Sequence, residues 1–454
     1  MSQHLQAQLP LFELIIGTEE EWLIAGGEAE LMAALRSAPP AHAGRVRGQA
    51  RRAWAAASST GEVPDDNRRR AHRAGRSASR CSTCSARATP LPPACSYGLL
   101  TGQGLGGIGR ASPTPAAPFV VSRHGCAPAM PTRAELAHWF ASERHVRPDQ
   151  DAQLAHLHRV SVPRRQWPEL YVLAYDHRAQ FEDMAREAGA DAARIPALKK
   201  LINRVVADIE AQDAGVRGKL GVLIDGRLGE AALHDATGRG WWLGRPIERP
   251  GSRPLRFDGT HSLGSQLVHW PREQVVKCLV FYHPDDPEPL RAEQEEWLRQ
   301  AWEATRESGH ELLLEVIPPR GMPGDAGEAT VRAIRRLYDL GFRPEWWKVG
   351  AMAARHWQAL DALVQERDPY CRGAVILGLS QPLDQLVAGF AEARVSRIVR
   401  GFMIGRSVWA EASREWLAGR IGDAEFQSRV AANFRQLIEG WRAARQTPQQ
   451  KEAA

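Results

Sequence analysis

From about Pro168 onward, short apolar runs alternate with longer amphipathic stretches. The runs are rich in valine, isoleucine, leucine and aromatic residues, which favours strands, and the stretches between them have the period of helices. Arg291–Glu307 and Gly327–Leu340 are two of the predicted helices. The predicted strands are Tyr171–Asp176, Gly221–Asp225, Gly240–Gly244, Val275–His283, Leu312–Ile317, Trp346–Ala351, Ala374–Leu379 and Arg397–Gly405.

This alternation predicts an α/β protein built on a (β/α)₈ barrel. The eight strand–helix repeats fit residues 161–447, and continuously apolar strands suit a parallel sheet that is buried on both faces. A doubly wound open sheet is the alternative architecture. We predict that residues 448–454 form a tail behind the barrel.

Residues 37–118, the arginine-rich segment, have neither period. They are crowded with arginine, alanine, serine, proline and glycine, a composition typical of a disordered linker. The segment holds twelve arginines, no lysine and three acidic residues, so it carries more positive charge than the net +6 of the whole chain. The remainder is mildly acidic, which argues against a nucleic-acid-binding protein.

The composition excludes further classes. The sequence has no run of about 18 apolar residues, so no membrane span is predicted. Met1–Pro10 lacks the basic and apolar regions of a secretory signal. Six cysteines in 454 residues do not make a disulfide framework, and a reducing cytoplasm is the expected location.

Two motifs in the arginine-rich segment match functional patterns without the context those patterns need. Cys81 and Cys84 have the spacing of a metal or redox pair, but no second pair follows at zinc-ribbon spacing. Gly104, Gly106 and Gly109 fit the dinucleotide fingerprint, but no strand precedes them and no amphipathic helix follows. We predict neither a metal nor a cofactor here.

The genetic code offers a second interpretation of the arginine-rich segment. Cys81–Pro90 can be encoded as TGT TCA ACG TGC TCG GCG CGG GCG ACG CCT, which, read two nucleotides later, gives Phe-Asn-Val-Leu-Gly-Ala-Gly-Asp-Ala. Gly48–Trp54, shifted by one nucleotide, can encode Val-Lys-Arg-Gly-Val-His. Both peptides resemble motifs of the ribokinase-like sugar kinases, in the order of that family. We interpret the segment as frameshifted kinase sequence.

The in-frame flanks agree with this resemblance. Leu11–Glu21 and Phe119–Pro131 resemble segments of bacterial 5-dehydro-2-deoxygluconokinases. The resemblance implies a truncated kinase remnant in residues 1–36 and a C-terminal kinase remnant with a linker in residues 119–160. The aspartate of the Gly-Ala-Gly-Asp motif is not in frame, so no group can deprotonate a sugar hydroxyl for attack on ATP. We expect that kinase activity is lost.

Polar residues at strand ends are the informative ones in a barrel, because the chemistry lies there. Lys277 and Lys348 stand within apolar runs, where a lysine is unfavourable unless it is paired or used. Each could lie outside the barrel, pair with Glu315 or Asp176, or take part in chemistry. The other polar residues at these ends are His177, Arg178, Asp225, His283, Ser380 and Arg406.

Six short motifs resemble, in order, the strand ends of class I aldolases of the tagatose-bisphosphate type. Over its full length the region is also similar to the uncharacterised, DUF2090-type barrel domain that is fused behind 5-dehydro-2-deoxygluconokinases. This second similarity agrees with the kinase remnants. The six motifs are Leu173–Arg178, Leu223–Asp225, Val276–Tyr282, Leu313–Glu315, Trp347–Val349 and Gly401–Trp409.

The aldolase resemblance implies a role for four residues. Lys348 would be the Schiff-base lysine and Glu315 would shuttle the proton, while Lys277 and Asp176 would complete the polar cluster. An amine must be neutral to attack a ketone, and a second ammonium nearby favours that neutral form. After Lys348 the chain continues Val-Gly-Ala-Met, without the acidic and proline residues usual in that family, so its substrate preference does not transfer directly.

The two resemblances together imply a substrate. Ser380 and Arg406 end strands seven and eight, where barrels often bind phosphate. The product of the kinase is 6-phospho-5-dehydro-2-deoxygluconate, a phosphorylated keto-sugar acid. The barrel would cleave it to dihydroxyacetone phosphate and malonate semialdehyde, the next step of inositol breakdown. No cofactor, nucleic acid or membrane is implied, and a homo-oligomer is compatible with this assignment.

Two alternatives remain open. A metal-dependent aldolase would use oxygen and nitrogen ligands, although no spacing ties the candidates together and His283–Asp286 also suits a turn that begins a helix. A non-catalytic regulatory barrel is the other alternative. The candidate metal ligands are His177, His283, Asp285, Asp286 and Glu315.

Overall fold

The computed structural model describes two compact units, residues 1–162 and 163–454. Side chains are described for residues 118–119, 122–123, 129–142, 147–162, 164–259 and 262–446. For three further strands only the backbone is described: β1 (Leu14–Thr18), β2 (Arg45–Gln49) and β3 (Trp54–Ala57).

The first unit contains this three-stranded sheet, in which β2 pairs in parallel with β1 and antiparallel with β3. β2 and β3 fall within the arginine-rich segment that we predict to be disordered. The cysteine pair, the glycine motif and most of that segment lie outside the described residues. Disorder, the frameshift and the loss of the kinase therefore stay predictions.

Two helices complete the described part of the first unit, α1 (Arg133–Ala141) and α2 (Ala152–Ser161). Thr132 and Glu135 form a capping box at the start of α1, which satisfies backbone donors that the first turn leaves free. The Glu135 side chain is fully buried, where it pairs with Arg123 and lies 3.1 Å from Nδ1 of His158. Such a buried carboxylate is stable only because it is paired.

The second unit is a barrel, as the sequence predicts. Its eight described strands are all parallel and neighbour one another in chain order, and pairing of Gly401 with Leu170 closes the sheet. The alternative of an open sheet is therefore wrong. The strands are β4 (Leu170–Ala174), β5 (Leu220–Leu223), β6 (Trp242–Pro246), β7 (Gln274–Phe281), β8 (Leu312–Ile317), β9 (Trp346–Gly350), β10 (Gly373–Leu377) and β11 (Val399–Ile404).

Each predicted strand is confirmed with ends that differ by at most two residues. The largest displacement is β6, predicted as Gly240–Gly244 and observed two residues later. Gly240 has a φ of +74°, a left-handed turn conformation that glycine adopts readily, so it precedes the strand rather than beginning it.

Helices cover the outside of the barrel, and the predicted helices Arg291–Glu307 and Gly327–Leu340 correspond to two of them. No helix in the described part of the chain has the length and apolar character needed to cross a bilayer. The helices are α3 (Ala179–Glu187), α4 (Ile195–Gln212), α5 (Glu230–Ala236), α6 (Leu263–Leu267), α7 (Glu288–Ser308), α8 (Ala326–Asp339), α9 (Ala354–Arg367), α10 (Leu383–Ala393), α11 (Arg406–Leu417) and α12 (Asp423–Gln446).

Successive side chains of each strand point to opposite faces of the sheet, and they form two separate hydrophobic cores. One face packs against the helices, and the other fills the barrel interior, where Trp242 and Trp346 meet edge to face with ring centroids 6.1 Å apart. Val275 and Leu313 belong to the same inner core. This packed layer closes the barrel below the carboxyl ends of its strands. Because alternate residues of a strand share a face, a side chain two residues after one of these core residues lies just above the layer, at the carboxyl end of its strand.

Candidate active site

Three strands place a charged residue directly above the inner core. Lys277 follows Val275 by two residues, Glu315 follows Leu313, and Lys348 follows Trp346, so each points to the barrel interior like the apolar residue before it. These three side chains line a cavity of about 390 Å³ at the carboxyl ends of the strands.

Lys277 is the hub of the cluster. Its Nζ lies 3.2 Å from Oδ2 of Asp176, 2.7 Å from Oε1 of Glu248 and 2.9 Å from Oε2 of Glu315. All four side chains are buried, so each charge depends on its partners. Burial alone would lower the pKa of Lys277, but the three carboxylates raise it well above its ordinary value. Lys277 is therefore a permanent ammonium at neutral pH.

Glu315 lies between two lysines. Its Oε1 is 3.1 Å from Nζ of Lys348, while its Oε2 faces Lys277. Burial favours the protonated form of Glu315, yet the two ammonium groups outweigh it and hold the pKa of Glu315 below its ordinary value. A carboxylate acceptor thus lies beside the Lys348 amine, and both side chains are buried. The sequence left open whether each lysine lies outside the barrel, pairs with Glu315 or Asp176, or takes part in chemistry. Both lysines lie inside the barrel and are paired with Glu315.

Asp176 and His177 follow the end of β4. Burial would raise the pKa of Asp176, but Lys277 in particular brings it far below its ordinary value, so Asp176 is ionised. The pKa of His177 is lowered to about 3 by burial and by the cations Arg406 and Lys348, against the opposing effect of Asp176. His177 therefore lines the cavity as a neutral imidazole.

Glu248 is the residue of this cluster that our sequence analysis missed. It lies two residues after β6, accepts a hydrogen bond of 3.2 Å from the backbone N–H of Leu279 through Oε2, and binds Lys277 through Oε1. The predicted strand ended at Gly244, two residues too early, so Glu248 was not recognised as a strand-end residue. With the correct end of β6, the search for polar residues at strand ends would have selected Glu248.

Arg178 reaches the cavity but already has partners. Its Nη1 donates to Asp258 at 2.9 Å, and its Nη2 lies 3.6 Å from Glu248. The side chain is buried, and Arg178 shares Oε1 of Glu248 with Lys277, so both cations balance the charge of that carboxylate. Arg178 is thus placed to hold the cluster together rather than to meet a ligand.

Asp225 is not part of the cavity. Its Oδ1 pairs with Nζ of Lys199, which is fully buried on α4, and its Oδ2 accepts hydrogen bonds from the backbone N–H groups of Arg227 at 3.1 Å and Leu228 at 2.7 Å. Lys199 also donates to the carbonyl oxygen of His177 at 2.9 Å. The geometry gives Asp225 a structural role, because every polar contact it makes is local or with Lys199.

The candidate metal ligands lie in two places: His177 and Glu315 line the cavity, whereas His283, Asp285 and Asp286 share a turn after β7. The backbone N–H of His283 donates to Asp286 at 3.1 Å, and Nδ1 of His283 accepts from the backbone N–H of Asp285 at 3.2 Å, which is the turn that the sequence also allowed. Asp285 pairs with Arg332 and Asp286 with Arg253. Among the residues that the structure describes, no three histidine, cysteine or acidic side chains are grouped as metal ligands would be.

Ser380 and Arg406 lie together on the rim of the cavity, at the ends of β10 and β11. Leu379 and Ser380 have φ angles of 45° and 61°, within a turn that the Gln381 N–H closes on the Gly378 carbonyl at 2.9 Å. Two successive left-handed residues that are not glycine are costly, and such strain concentrates at functional sites.

The start of α11 adjoins this turn. The Ser407 hydroxyl donates to the Gln381 carbonyl at 2.6 Å, and no side chain caps the helix at Gly405. A Cβ at Gly405 would lie 2.2 Å from the Ala174 carbonyl oxygen, so only glycine lets the chain pass so close to β4. The turn, the helix start and the half-buried Arg406 together offer donors and positive charge to an anion.

Comparison with known proteins identifies one family. The profile of a family described as an uncharacterised protein conserved in bacteria (DUF2090) matches residues 135–445. The chain matches no curated protein.

Two solved structures are similar to the chain at low sequence identity. One is a fructose-bisphosphate aldolase from Plasmodium falciparum, in complex with TRAP and a small-molecule inhibitor, with a TM-score of 0.45 and 10% identity over 66% of this chain and 97% of that one. The other is an archaeal fructose 1,6-bisphosphate aldolase, with a TM-score of 0.39 and 14% identity over 60% and 94%.

Proposed function

The chain belongs to the uncharacterised bacterial family DUF2090, and we propose that its barrel is a class I aldolase that forms a Schiff base through Lys348. One observation carries the proposal. A buried lysine lies 3.1 Å from a buried carboxylate, Glu315, at the floor of a cavity at the carboxyl ends of the barrel strands. This is the part of the fold where barrel enzymes act.

The first step needs a neutral amine. Glu315 can accept a proton from Lys348, after which Nζ attacks the ketone carbon of the substrate and water leaves to give an iminium. The ammonium of Lys277 remains charged throughout, because its three carboxylate partners raise its pKa. It keeps Glu315 ionised and ready to accept the proton.

Carbon–carbon cleavage follows from the iminium. We assign 6-phospho-5-dehydro-2-deoxygluconate as substrate, with Lys348 bonded to C5. Glu315 removes the proton of the C3 hydroxyl, the C3–C4 bond breaks, and its electron pair forms the C4=C5 bond of an enamine. C3 leaves as the aldehyde of malonate semialdehyde. Protonation at C4 and hydrolysis then release dihydroxyacetone phosphate and restore Lys348.

The rim of the cavity carries groups that suit the phosphate end of this substrate. The phosphate is attached to C6, next to the carbon that Lys348 attacks. Ser380 and Arg406 end the two strands that follow β9 around the barrel, and the uncapped start of α11 faces the same region. Backbone donors, a hydroxyl and a guanidinium suit a phosphate. We assign Ser380 and Arg406 to it, and no kinase activity to the chain.

Borohydride trapping tests the proposal most directly. The full chain is incubated with dihydroxyacetone phosphate and borohydride, digested, and analysed by mass spectrometry. We expect one reduced adduct on Lys348, which forms only with the ketose present and persists in a chelator. A coupled assay then measures dihydroxyacetone phosphate released from the proposed substrate. An unmodified Lys348, together with turnover that a chelator abolishes, would overturn the mechanism.

A further inference from the structure

Two cations at the mouth of the cavity lack the partners that the other cavity cations have. Lys277, Lys348 and Arg178 each pair with a carboxylate. Arg320 and Arg406 make no hydrogen bond or ion pair with any residue that the structure describes, although both line the cavity. Their positive charge is therefore available to an anionic ligand and attracts one to the mouth.

The guanidinium groups of Arg320 and Arg406 lie near each other, although they follow different strands. Arg320 belongs to the loop between β8 and α8, and Arg406 begins α11 after β11. Burial lowers the pKa of Arg406, and the positive charge of Arg320 lowers it further, an effect that two carboxylates of the inner cluster oppose only in part. Two like charges without a counter-ion repel each other, so an anion that lies between them is stabilised by both.

The two arginines differ in depth. Arg406 is half-buried, beside the strained turn that holds Ser380, whereas Arg320 is exposed. An anion bound at Ser380 and Arg406 is thus open to Arg320 from the solvent side. A phosphate monoester has nearly two negative charges at neutral pH and three acceptor oxygens, so one guanidinium neutralises only about half of its charge.

We propose that Arg320 is the second guanidinium of the phosphate site and that, together with Arg406, it makes the barrel select phosphorylated over neutral ketoses. This inference rests on the proposed function, in which Ser380 and Arg406 bind the phosphate. Arg320 adds the second positive charge that a dianion needs, and its fork of N–H donors can hold two phosphate oxygens at once. The other cavity cations are not available for this task, since each already faces a carboxylate.

Adduct formation at Lys348 measures this selection. The full chain is incubated with borohydride and either dihydroxyacetone phosphate or dihydroxyacetone, which has the same ketone without the phosphate. Nζ of Lys348 adds to the ketone carbon, water leaves, and hydride from borohydride reduces the iminium to a stable amine. The measured quantity is the ratio of the two second-order trapping rates, phosphorylated to neutral. We expect Arg320→Ala to lower this ratio by about 10- to 100-fold, the value of a hydrogen bond to a charged group.

Two further variants complete this measurement. Arg320→Lys keeps the charge but not the fork of donors, and should restore part of the ratio. Arg204→Ala removes an exposed arginine on α4 that does not line the cavity, and should leave the ratio at its wild-type value. A ratio that Arg320→Ala does not change, whether both trapping rates persist or both fall equally, would overturn the inference.

Inorganic phosphate tests the site without the chemistry of Lys348. Titration calorimetry of the full chain gives the Kd for phosphate, which we expect Arg320→Ala to raise by about 10- to 100-fold and Arg204→Ala to leave unchanged. An equal Kd in the wild type and in Arg320→Ala would also contradict the inference. Failure of the aldolase proposal looks different, since neither ketone would then form an adduct at Lys348 of the wild type, while the Kd for phosphate would still depend on Arg320.

Discussion

Lys348 lies opposite Glu315 in the register of two adjacent parallel strands, and its ammonium lies 3.1 Å from that carboxylate. Because the two residues are partners across β8 and β9, the backbone ladder fixes their separation. The other oxygen of Glu315 faces Lys277 at 2.9 Å. The carboxylate is therefore held on both sides, which is the kind of support that a catalytic group needs from its surroundings.

Replacement of Lys348 by arginine should abolish both Schiff-base trapping and cleavage. Arginine keeps the positive charge beside Glu315 but cannot supply a neutral amine at accessible pH. Circular dichroism should remain that of the wild type, because the ion pair with Glu315 can be kept. Lys200→Arg, an exchange at a half-exposed lysine on α4, is the control and should leave trapping intact. Any adduct that persists in Lys348→Arg assigns the chemistry to another amine.

Replacement of Glu315 by glutamine should slow cleavage by about 10²- to 10⁴-fold, because a proton acceptor is lost while the shape of the side chain is kept. Single-turnover rates with the proposed substrate measure this effect. The trapped adduct at Lys348 should still form when the incubation is long, since the amine remains. If cleavage continues at the wild-type rate, the base is another residue, and Asp176, which lines the same cavity, becomes the next candidate.

The eight strands could be predicted from the sequence because each is a short, continuously apolar run. The site is only partly predictable from strand ends. Asp176, Asp225 and Glu248 each stand two residues after a strand, yet only Asp176 and Glu248 enter the cavity. Asp225 begins a tight turn and accepts hydrogen bonds from two backbone N–H groups of that turn. Its other partner is Lys199, on α4, with which it forms an ion pair. Whether a strand-end side chain enters the cavity is therefore decided by contacts with residues that are distant in the sequence.

Glu248 is the converse case, a residue of the cavity that the sequence analysis did not select. It was missed because β6 extends two residues beyond the predicted end. Its partner Lys277 is 29 residues away along the chain, and no local pattern in the sequence marks that contact.

Replacement of Lys277 by methionine should destabilise the barrel in a pH-dependent way. In the wild type the pKa of Asp176 and that of Glu315 are below their ordinary values, so their stabilising contribution is present above about pH 4 and is lost as the pH falls through the folded-state pKa. Without Lys277, burial would instead raise these pKa values. Asp176 and Glu315 would then oppose folding at neutral pH, and protonation would relieve them.

Urea titrations at pH 7 and pH 5 measure this difference. We expect Lys277→Met to lower the free energy of unfolding by about 3–5 kcal/mol at pH 7 and by less at pH 5. Lys200→Met removes only a half-exposed pair with Asp235 and should cost less than about 1 kcal/mol at either pH. An equal loss at both pH values would mean that Lys277 contributes packing rather than charge.

The pair of Lys199 and Asp225 should prove structural and coupled. Lys199 is fully buried, and its Nζ lies 4.8 Å from the centroid of the Phe181 ring. Lys199→Met leaves Asp225 as a buried carboxylate without its cation, so we expect the free energy of unfolding to fall by about 3–5 kcal/mol. Lys200→Met, its neighbour on the same helix, is again the matched control.

The double variant separates a coupled pair from two independent contributions. Adding Asp225→Asn to Lys199→Met removes the uncompensated charge, so the double variant should lose less stability than the two single variants together, by about 0.5–3 kcal/mol. Chemical denaturation at pH 7 of the wild type, both singles and the double gives this coupling energy. Strict additivity would show that the buried pair contributes nothing of its own. Asp225 would then be held by its hydrogen bonds to the backbone N–H groups of Arg227 and Leu228 rather than by Lys199.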